Sequence, residues 1–191
     1  MAALKALDGE DCFQLGDGDL ATHVERTRRL AAGESLSAAT AALAAQLGID
    51  VAITPMSDDP VRTYVDTAGG ALAFQHYFVR DQCRPVVTGF EFRGVASAAP
   101  SPAALRALAD PALDAVVICP SNPFISIDPI LAVPGLRAAI KAAPAPVIAV
   151  SPIVGGRAIK GPTAKMMAEL GITQSAASVA RHYQELIDGF V

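Results

Sequence analysis

The chain has 191 residues, which is close to the size of one ordinary domain and long enough to bury a substantial core. Apolar residues make up 52% and charged residues 18%, a balance that excludes an intrinsically disordered chain. The formal net charge is −4, and the Lys and Arg residues are scattered, so we expect no nucleic-acid partner.

The N-terminal residues and the cysteines bear on the compartment. Residues 1–7 are followed at once by acidic residues, without the pattern of a secretory signal, and no run of about 18 uncharged apolar residues exists. Cys12, Cys83 and Cys119 are too widely spaced for a disulfide framework or a zinc cluster. We therefore predict a cytoplasmic protein that does not enter the membrane and whose thiols are buried and reduced.

The first predicted elements are two helices. Residues 19–32 carry apolar side chains at Leu20, Val24 and Leu30 with charges between them, and Gly33 ends this pattern. We interpret Asp19 as the N-cap of this helix. Ser35 is predicted to cap a second helix that runs to residue 47 and ends before Gly48.

Strand signals follow. Residues 51–54 are rich in β-branched side chains and predict a strand, while residues 61–66 and 71–74 alternate around Gly69-Gly70, which predicts a hairpin. Residues 86–95 alternate again. This part of the chain, residues 49–95, is therefore predicted to be rich in β structure.

Alternating strands and helices fill the rest of the chain. Ser101-Pro102 opens a short helix, and residues 114–119 and 146–150 are apolar runs that predict buried strands on either side of a helix at residues 131–142. A further helix is predicted at residues 162–170 and the start of another strand at residues 186–191. We predict an α/β fold with a parallel sheet, in one domain whose segments are 15–48 (helical), 49–95 (β-rich) and 101–191 (α/β).

Ligands of parallel α/β sheets bind at the carboxyl ends of the strands, so the loop after residues 114–119 is the first candidate site. This loop contains Pro120, Ser121, Asn122 and Ser126, whose hydroxyl, amide and backbone N–H groups suit phosphate oxygens. The same residues are also what any tight turn needs, so both interpretations stay open.

The loop after residues 146–150 is the second candidate. It contains Ser151 and the pair Gly155-Gly156, which would let the backbone approach a ligand closely. Because the two loops follow adjacent strands, we favour one shared anion site between them. Lys160 and Lys165 would add positive charge to it, or they are simply solvated.

Two further clusters contain carboxylates. Met56, Ser57, Asp58 and Asp59 lie between prolines, where the two carboxylates would hold a metal or orient a hydroxyl, or simply form an Asx turn.

The other cluster lies at the start of the first helix and contains Asp17, Gly18, Thr22 and His23. The three histidines show no metal-binding spacing, and neither a dinucleotide-binding nor a nucleotide-hydrolase motif is present. We therefore assign no metal ligands within this chain.

Five segments, in this order, resemble the 2-phospho-L-lactate transferases. They are LGDxDLATH, PMSDDPV, FQxYF, PSNPFISI and SPIVGG followed by KGP, and they lie within residues 15–23, 55–61, 74–78, 120–127 and 151–162. The resemblance extends over essentially the whole chain.

This resemblance implies a Rossmann-like three-layer domain with a β-hairpin and helical insertion. It also implies that the ribityl hydroxyl of the deazaflavin Fo attacks a guanosine diphosphate-linked lactate, or a phosphoenolpyruvyl-type analogue, with release of GMP and with help from Mg²⁺. Such a step in coenzyme F-420 biosynthesis depends on positioning and charge stabilisation.

The residue roles follow from matching positions. Asp17 with Asp58 or Asp59 is expected to orient the hydroxyl or a metal-bound water, and the two strand-end loops are expected to bind phosphates. The remaining positions expected to bind substrate are Gly18, Thr22, His23, Met56 and Ser57.

The sequence departs from the family in two ways. Gly18 stands where the family has an arginine implicated in binding deazaflavin, which puts that function in doubt. We also expect the family's glycine-rich loop and main metal carboxylates to precede Met1, and further family sequence to follow Val191.

Two alternatives therefore stay open beside the transferase: a non-catalytic regulator of the same superfamily that binds nucleotide sugars, and an inactive truncated fragment. A homodimer is possible in each case.

Overall fold

The computed structural model describes Phe13 and residues 15–191. Predictions that concern residues 1–12, including Cys12, lie outside these residues. Two packed helices come first, α1 (Asp17–Ala31) and α2 (Leu36–Gln46). Ser35 caps α2 as predicted, because its hydroxyl oxygen accepts a hydrogen bond from the Ala38 N–H at 3.1 Å.

The prediction for Asp19 was wrong. The N-cap of α1 is Gly16, and Asp19 is the third helical residue, whose carboxylate accepts a hydrogen bond from the Gly16 N–H at 3.3 Å. The helix therefore begins two residues earlier than its apolar pattern indicates. A side chain on the third helical residue can reach back to the backbone N–H of the cap, so Asp19 bonds to the cap without being the cap itself.

An antiparallel sheet follows, with strands β1 (Arg62–Thr67), β2 (Gly70–Ala73) and β3 (Val87–Arg93) in the order β2-β1-β3. The predicted hairpin is confirmed: β1 pairs antiparallel with β2, and Thr67 pairs with Gly70 across the turn. A π-helical turn, His76–Arg80, lies between β2 and β3.

A parallel sheet forms the second half, with strands β4 (Val116–Ile118), β5 (Val147–Ala149) and β8 (Gly189–Phe190) in the order β4-β5-β8. The helix α3 (Pro102–Leu108) precedes β4, and a π-helical turn (Pro123–Ile127), α4 (Asp128–Ala132) and α5 (Leu136–Lys141) connect β4 to β5. A hairpin of β6 (Ile153–Val154) and β7 (Arg157–Ala158), then α6 (Thr163–Glu169) and α7 (Ala176–Tyr183), lead to β8. The α/β class with a parallel sheet is confirmed.

Two predicted elements differ. Residues 51–54 form no strand, and Val51 and Ile53 are exposed, because no described strand pairs with this segment. The predicted helix at residues 131–142 is two helices, because Pro134 disfavours a helical conformation at Val133 and Gly135 adopts φ +89°.

Predicted burial also fails at two positions near the end of β4. Val117 is 54% exposed because alternate residues of a strand face opposite sides, and β4 is an edge strand of the described sheet. Cys119 is exposed as well, since it lies in the loop that leaves β4, whereas Cys83 is half-buried.

One main core joins the two sheets. It contains Val65 and Val87 from the antiparallel sheet, Val147 and Ala149 from the parallel sheet, and Met166 from α6. Because residues from both sheets share this core, the loops at the carboxyl ends of β4 and β5 lie next to the end of β2.

None of the described helices is long and apolar enough to cross a bilayer.

Candidate functional site

A cleft of about 300 Å³ lies where β4 and β5 end. Four predicted site residues, Pro120, Ser121, Asn122 and Ser126, line it, and Pro152 contributes from the loop after β5. The two strand-end loops therefore meet in this cleft, while the anion site expected between them stays a prediction. The other lining residues come from the end of β2, the π-helical turns and the start of α6: Phe74, Phe78, Ile125, Ile159, Lys160, Gly161, Pro162 and Thr163.

The loop after β4 is held by its own hydrogen bonds. The Ser121 N–H donates to the Cys119 carbonyl at 2.7 Å. The Asn122 side-chain oxygen accepts from the N–H groups of Phe124 and Ile125 at 3.0 and 3.3 Å, which caps the following turn. The Asn122 amide nitrogen lies 3.2 Å from the Met166 sulfur, so this side chain supports the wall of the cleft. Its oxygen is already used as the acceptor for the two backbone N–H groups.

Three hydroxyl groups and one ammonium group form the polar part of the cleft. Neither Ser121, Ser126 nor Thr163 uses its hydroxyl, and Lys160 does not use its ammonium group, in a hydrogen bond to any other described residue. Among the described lining residues Lys160 is the one cation, and no carboxylate is present. The polar part therefore has the charge and the donors that an anionic oxygen requires.

Another part of the cleft lining is aromatic. The rings of Phe74 and Phe78 are stacked, with centroids 5.5 Å apart and planes inclined by 27°. Phe78 is 42% exposed, and it also borders a second, more open cleft of about 450 Å³ that includes Gln82, Arg84 and Lys165. We refer to Phe74 and Phe78 as the aromatic wall.

The helix α6, whose first residues line the cleft, is fixed to the antiparallel sheet by an ion pair. The Lys165 ammonium group lies 2.5 Å from one Glu169 oxygen and donates to the Pro85 carbonyl at 2.9 Å. The other Glu169 oxygen accepts from the Val87 N–H at 3.0 Å. Burial raises the pKa of the nearby Tyr77 phenol, so it stays protonated. Lys165 therefore has a structural partner, and Lys160 is the lysine that faces the cleft.

The predicted residues of the second loop lie beside the cleft without lining it. The Ser151 hydroxyl is buried and bonds to the backbone of Ile153, donating to its carbonyl at 2.8 Å and accepting from its N–H at 3.1 Å. Gly155 and Gly156 form the two-residue turn between β6 and β7 with φ +58° and +75°. A turn with two positive φ angles accounts for this glycine pair.

The turn at residues 56–59 is tied to distant backbone groups. One Asp58 oxygen accepts from the Ser37 N–H at the start of α2 at 2.6 Å, and one Asp59 oxygen accepts from the Ala99 N–H at 2.7 Å. The buried Ser57 hydroxyl donates to the Ala99 carbonyl at 2.6 Å, and Met56 packs against a second, smaller core cluster. These four residues do not line the cleft, and their hydrogen bonds join α2 to the segment before α3.

The cluster on α1 also lies apart from the cleft lining. Thr22 donates its hydroxyl hydrogen to the Gly18 carbonyl at 2.9 Å, and a ring nitrogen of His23 lies 2.7 Å from the Arg26 guanidinium. The Asp17 carboxylate makes no hydrogen bond or ion pair with another described residue. Asp17 is thus the one predicted catalytic carboxylate with neither oxygen in a hydrogen bond to another described residue.

The described carboxylates do not fit the Mg²⁺ ion that the resemblance implies. Within the described residues, no group of three or more His, Cys, Asp or Glu side chains is arranged to hold a metal. Asp58 and Asp59 each direct an oxygen to a different backbone N–H instead of to a common point. The expectation that the main ligands lie outside this chain stays a prediction.

Three lining positions that contribute to the chemistry of the cleft were not predicted as site residues from the sequence: Phe74, Phe78 and Thr163. Phe74 and Phe78 belong to the FQxYF segment, but nothing in the pattern shows that the end of β2 reaches β4. Thr163 is the first residue of α6 and is 1% exposed. The KGP segment just before it was the available signal.

Residues 3–191 match the family described as 2-phospho-L-lactate transferase CofD. The chain is 44% identical over 182 residues to the 2-phospho-L-lactate transferase of Methanosarcina acetivorans, covering 95% of this chain and 58% of that protein. It is 43% identical over 188 residues to the phosphoenolpyruvate transferase of Kitasatospora aureofaciens, again with 58% of the relative covered. The chain therefore spans just under three-fifths of the length of these two relatives.

The fold is similar to that of a solved structure, a member of the UPF0052 family from Bacillus halodurans. The TM-score is 0.54 at 17% identity, with 70% of this chain and 40% of that chain covered. At this identity the likeness concerns the fold alone.

Proposed function

The chain belongs to the 2-phospho-L-lactate transferase family, and from this premise we propose that it forms part of an enzyme that moves a phospholactyl or phosphoenolpyruvyl-type group. The donor is a guanosine diphosphate-linked carboxylic acid, the acceptor is the ribityl hydroxyl of deazaflavin Fo, and GMP is released. The observation that carries the proposal is the cleft at the carboxyl ends of β4 and β5, with Lys160 and three hydroxyls that bond to no other described residue.

The reaction exchanges one bond to phosphorus for another. The Fo hydroxyl oxygen bonds to the phosphorus that carries the acid, the bond from this phosphorus to the bridging oxygen breaks, and GMP leaves with that oxygen. The hydroxyl proton passes to water, because Asp17 lies apart from the cleft and the described lining residues include no carboxylate. A transfer of this kind depends mainly on alignment and on stabilisation of negative charge.

The cleft would contribute to the alignment of the reacting groups and to the stabilisation of negative charge. Lys160 would offset charge on the phosphate oxygens, while Ser121, Ser126 and Thr163 would donate hydrogen bonds that set the orientation of the phosphate. Asn122 would act indirectly, because its oxygen caps the loop that holds Ser121 in place. Mg²⁺, when bound, would add charge neutralisation.

The test of the anion site is the variant Lys160→Gln. Lys160 is exposed, so we expect a loss of about 1 kcal/mol in binding, or about fivefold weaker affinity for pyrophosphate, measured by isothermal titration. Lys141→Gln is the matched control, because Lys141 is also exposed but lies at the end of α5 outside the cleft. Equal losses in the two variants would contradict the assignment.

The reaction is tested by incubating the chain with the guanosine diphosphate-linked donor, Fo and Mg²⁺ and by measuring the release of GMP by chromatography. We expect formation of the deazaflavin phosphodiester together with GMP in a one-to-one ratio. GMP release that does not depend on Fo would indicate hydrolysis instead of transfer and would refute the proposed reaction.

A further inference from the structure

The π-helical turn Pro123–Ile127 provides two of the residues that line the cleft, Ile125 and Ser126. Short π-helical turns are rare and occur frequently at functional sites, so the contacts that hold this turn in shape bear on the cleft. Asn122 fixes the start of the turn. Its side-chain oxygen accepts from the N–H groups of Phe124 and Ile125, and its carbonyl accepts from the Ser126 N–H at 3.1 Å.

The end of the turn is joined to α7 by a hydrogen bond. Asp128 follows the turn directly as the first residue of α4, and its Oδ1 atom accepts from His182 Nε2 at 2.7 Å. The two side chains are 27% and 31% exposed, so a hydrogen bond to the carboxylate is partly shielded from water. Because the two residues are 54 positions apart, this bond fixes the turn relative to a helix that is distant in the sequence.

The middle of the turn has aromatic partners on two other elements. The Phe124 ring is 7% exposed and stacks on Phe90 of β3, with centroids 5.6 Å apart and planes inclined by 6°. The His182 ring meets Phe124 edge to face, with centroids 5.6 Å apart and planes inclined by 82°. His182 therefore contacts the turn in its middle and, through Asp128, at its end.

We propose that His182 is a positioning residue for the anion site. Through Asp128 it fixes the π-helical turn, so that Ser126 keeps its place in the cleft lining and donates its hydroxyl hydrogen to a phosphate oxygen. His182 itself does not line the cleft. This inference deepens the proposed function and rests on it, because the phosphate site is the one proposed there. The hydrogen bond accounts for the role more than the ring does, because Phe124 keeps Phe90 as a partner whichever side chain replaces His182.

Pyrophosphate binding to the 191-residue chain, measured by isothermal titration, tests this role. His182→Phe keeps a ring against Phe124 and loses the donor to Asp128, whereas His182→Gln keeps an N–H donor. A hydrogen bond to a charged oxygen accounts for about tenfold in affinity, so Ser126→Ala should bind about tenfold more weakly. His182→Phe, which acts through Ser126, should lose about 3- to 10-fold, and His182→Gln should retain most of the affinity.

Double variants separate positioning of Ser126 from other effects. His182→Phe should cause no further loss of affinity in a chain that already carries Ser126→Ala, because the group that it positions is gone. In combination with Lys160→Gln the two losses should multiply, since Lys160 lies outside the π-helical turn.

Ser178→Ala is the matched control on the same helix. The Ser178 hydroxyl belongs to a buried residue of α7 and bonds to Ser175 and Arg181, so its removal destabilises this helix without touching the bond to Asp128. Thermal unfolding would confirm that each variant is folded at the temperature of the titration. Pyrophosphate affinity should be unchanged in Ser178→Ala.

Amide hydrogen exchange gives a readout that needs no ligand. The Ser126 N–H, which bonds to the Asn122 carbonyl, should exchange faster in His182→Phe than in His182→Gln or the unchanged chain.

Three results would overturn the inference while leaving the proposed function intact: unchanged affinity in His182→Phe, losses that multiply fully with Ser126→Ala, or an equal loss in Ser178→Ala. Absence of pyrophosphate binding by the unchanged chain would refute the anion site and the inference with it. Coupled losses of affinity without any transfer to Fo would support the inference and refute only the proposed reaction.

Discussion

The contact between Glu169 and the backbone of β3 allows a sharp test of how α6 is held beside the cleft. Glu169 accepts a hydrogen bond from the Val87 N–H with one oxygen and pairs with Lys165 through the other. Replacing Glu169 with Ala removes both contacts, whereas Glu169→Gln keeps an oxygen for Val87 and removes the charge that Lys165 pairs with.

The expected magnitudes follow from burial. Val87 is 1% exposed, so an N–H without an acceptor there costs about 1–3 kcal/mol. The side chains of Lys165 and Glu169 are 34% and 16% exposed, so their pairing contributes about 0.5 kcal/mol. Glu169→Ala should therefore lower the free energy of unfolding by about 2.5 kcal/mol, and Glu169→Gln by about 0.5 kcal/mol.

Thermal unfolding and hydrogen exchange would measure the difference. For a chain of this length about 2.5 kcal/mol corresponds to a fall in Tm of about 5–10 °C, against about 1–2 °C for Glu169→Gln. The Val87 amide proton should exchange faster in the alanine variant, and its exchange rate should be unchanged in the glutamine variant. Equal Tm losses with unaltered Val87 exchange would refute the view that the backbone contact dominates.

Three further predictions concern α1 and the loop after β4. Gly18 is exposed, and a Cβ added there would meet no atom within 4 Å, so Gly18→Arg should add about 0.5–1 kcal/mol of helix stability and tighten Fo binding at least about tenfold. Gly18→Ala should give the same gain in stability without tighter Fo binding. An equal gain in Fo affinity in both variants would contradict the role of the guanidinium group. Asn122→Ala should cost about 1 kcal/mol in urea unfolding because two N–H groups lose their cap, while Asn122→Asp should cost less; equal losses would show that capping is not the cause. The hydrogen bond from Arg28 lowers the pKa of Glu25 from 4.5 to about 2. The stabilising effect of this ion pair is therefore complete above pH 4.5 and is lost as the pH falls towards 2. Acid unfolding of Glu25→Gln, followed by circular dichroism, should lack this loss of stability, and an acid profile identical to that of the unmodified chain would disprove the prediction.

Elements set by neighbouring residues could be predicted from the sequence. The β1–β2 hairpin follows from alternation around Gly69-Gly70, and the start of α2 follows from Ser35. The parallel pairing of β4 with β5 was also predicted, because a helical connection between two apolar strands allows few other arrangements. That pairing brought the Ser121 loop and the Pro152 loop together.

Features that depend on distant partners could not be predicted. Residues 51–54 have the composition of a strand, but a strand also needs a neighbour to receive its hydrogen bonds. Asp58 and Asp59 suggested a metal or a hydroxyl ligand, and their oxygens instead accept from backbone N–H groups 21 and 40 residues away. Nothing local to a carboxylate shows which distant donor it will meet.

By itself the sequence determined the family, the α/β class and the polar loop of the cleft, because motifs, periodicity and turn residues act over a few neighbouring positions. Only the tertiary structure decided that Lys160 and not Lys165 lines the same cleft as this loop, and that Phe78 lines it as well. Both outcomes depend on how the antiparallel sheet packs against α6 through the shared core. That packing joins residues 82 positions apart, as in the bond from Val87 to Glu169.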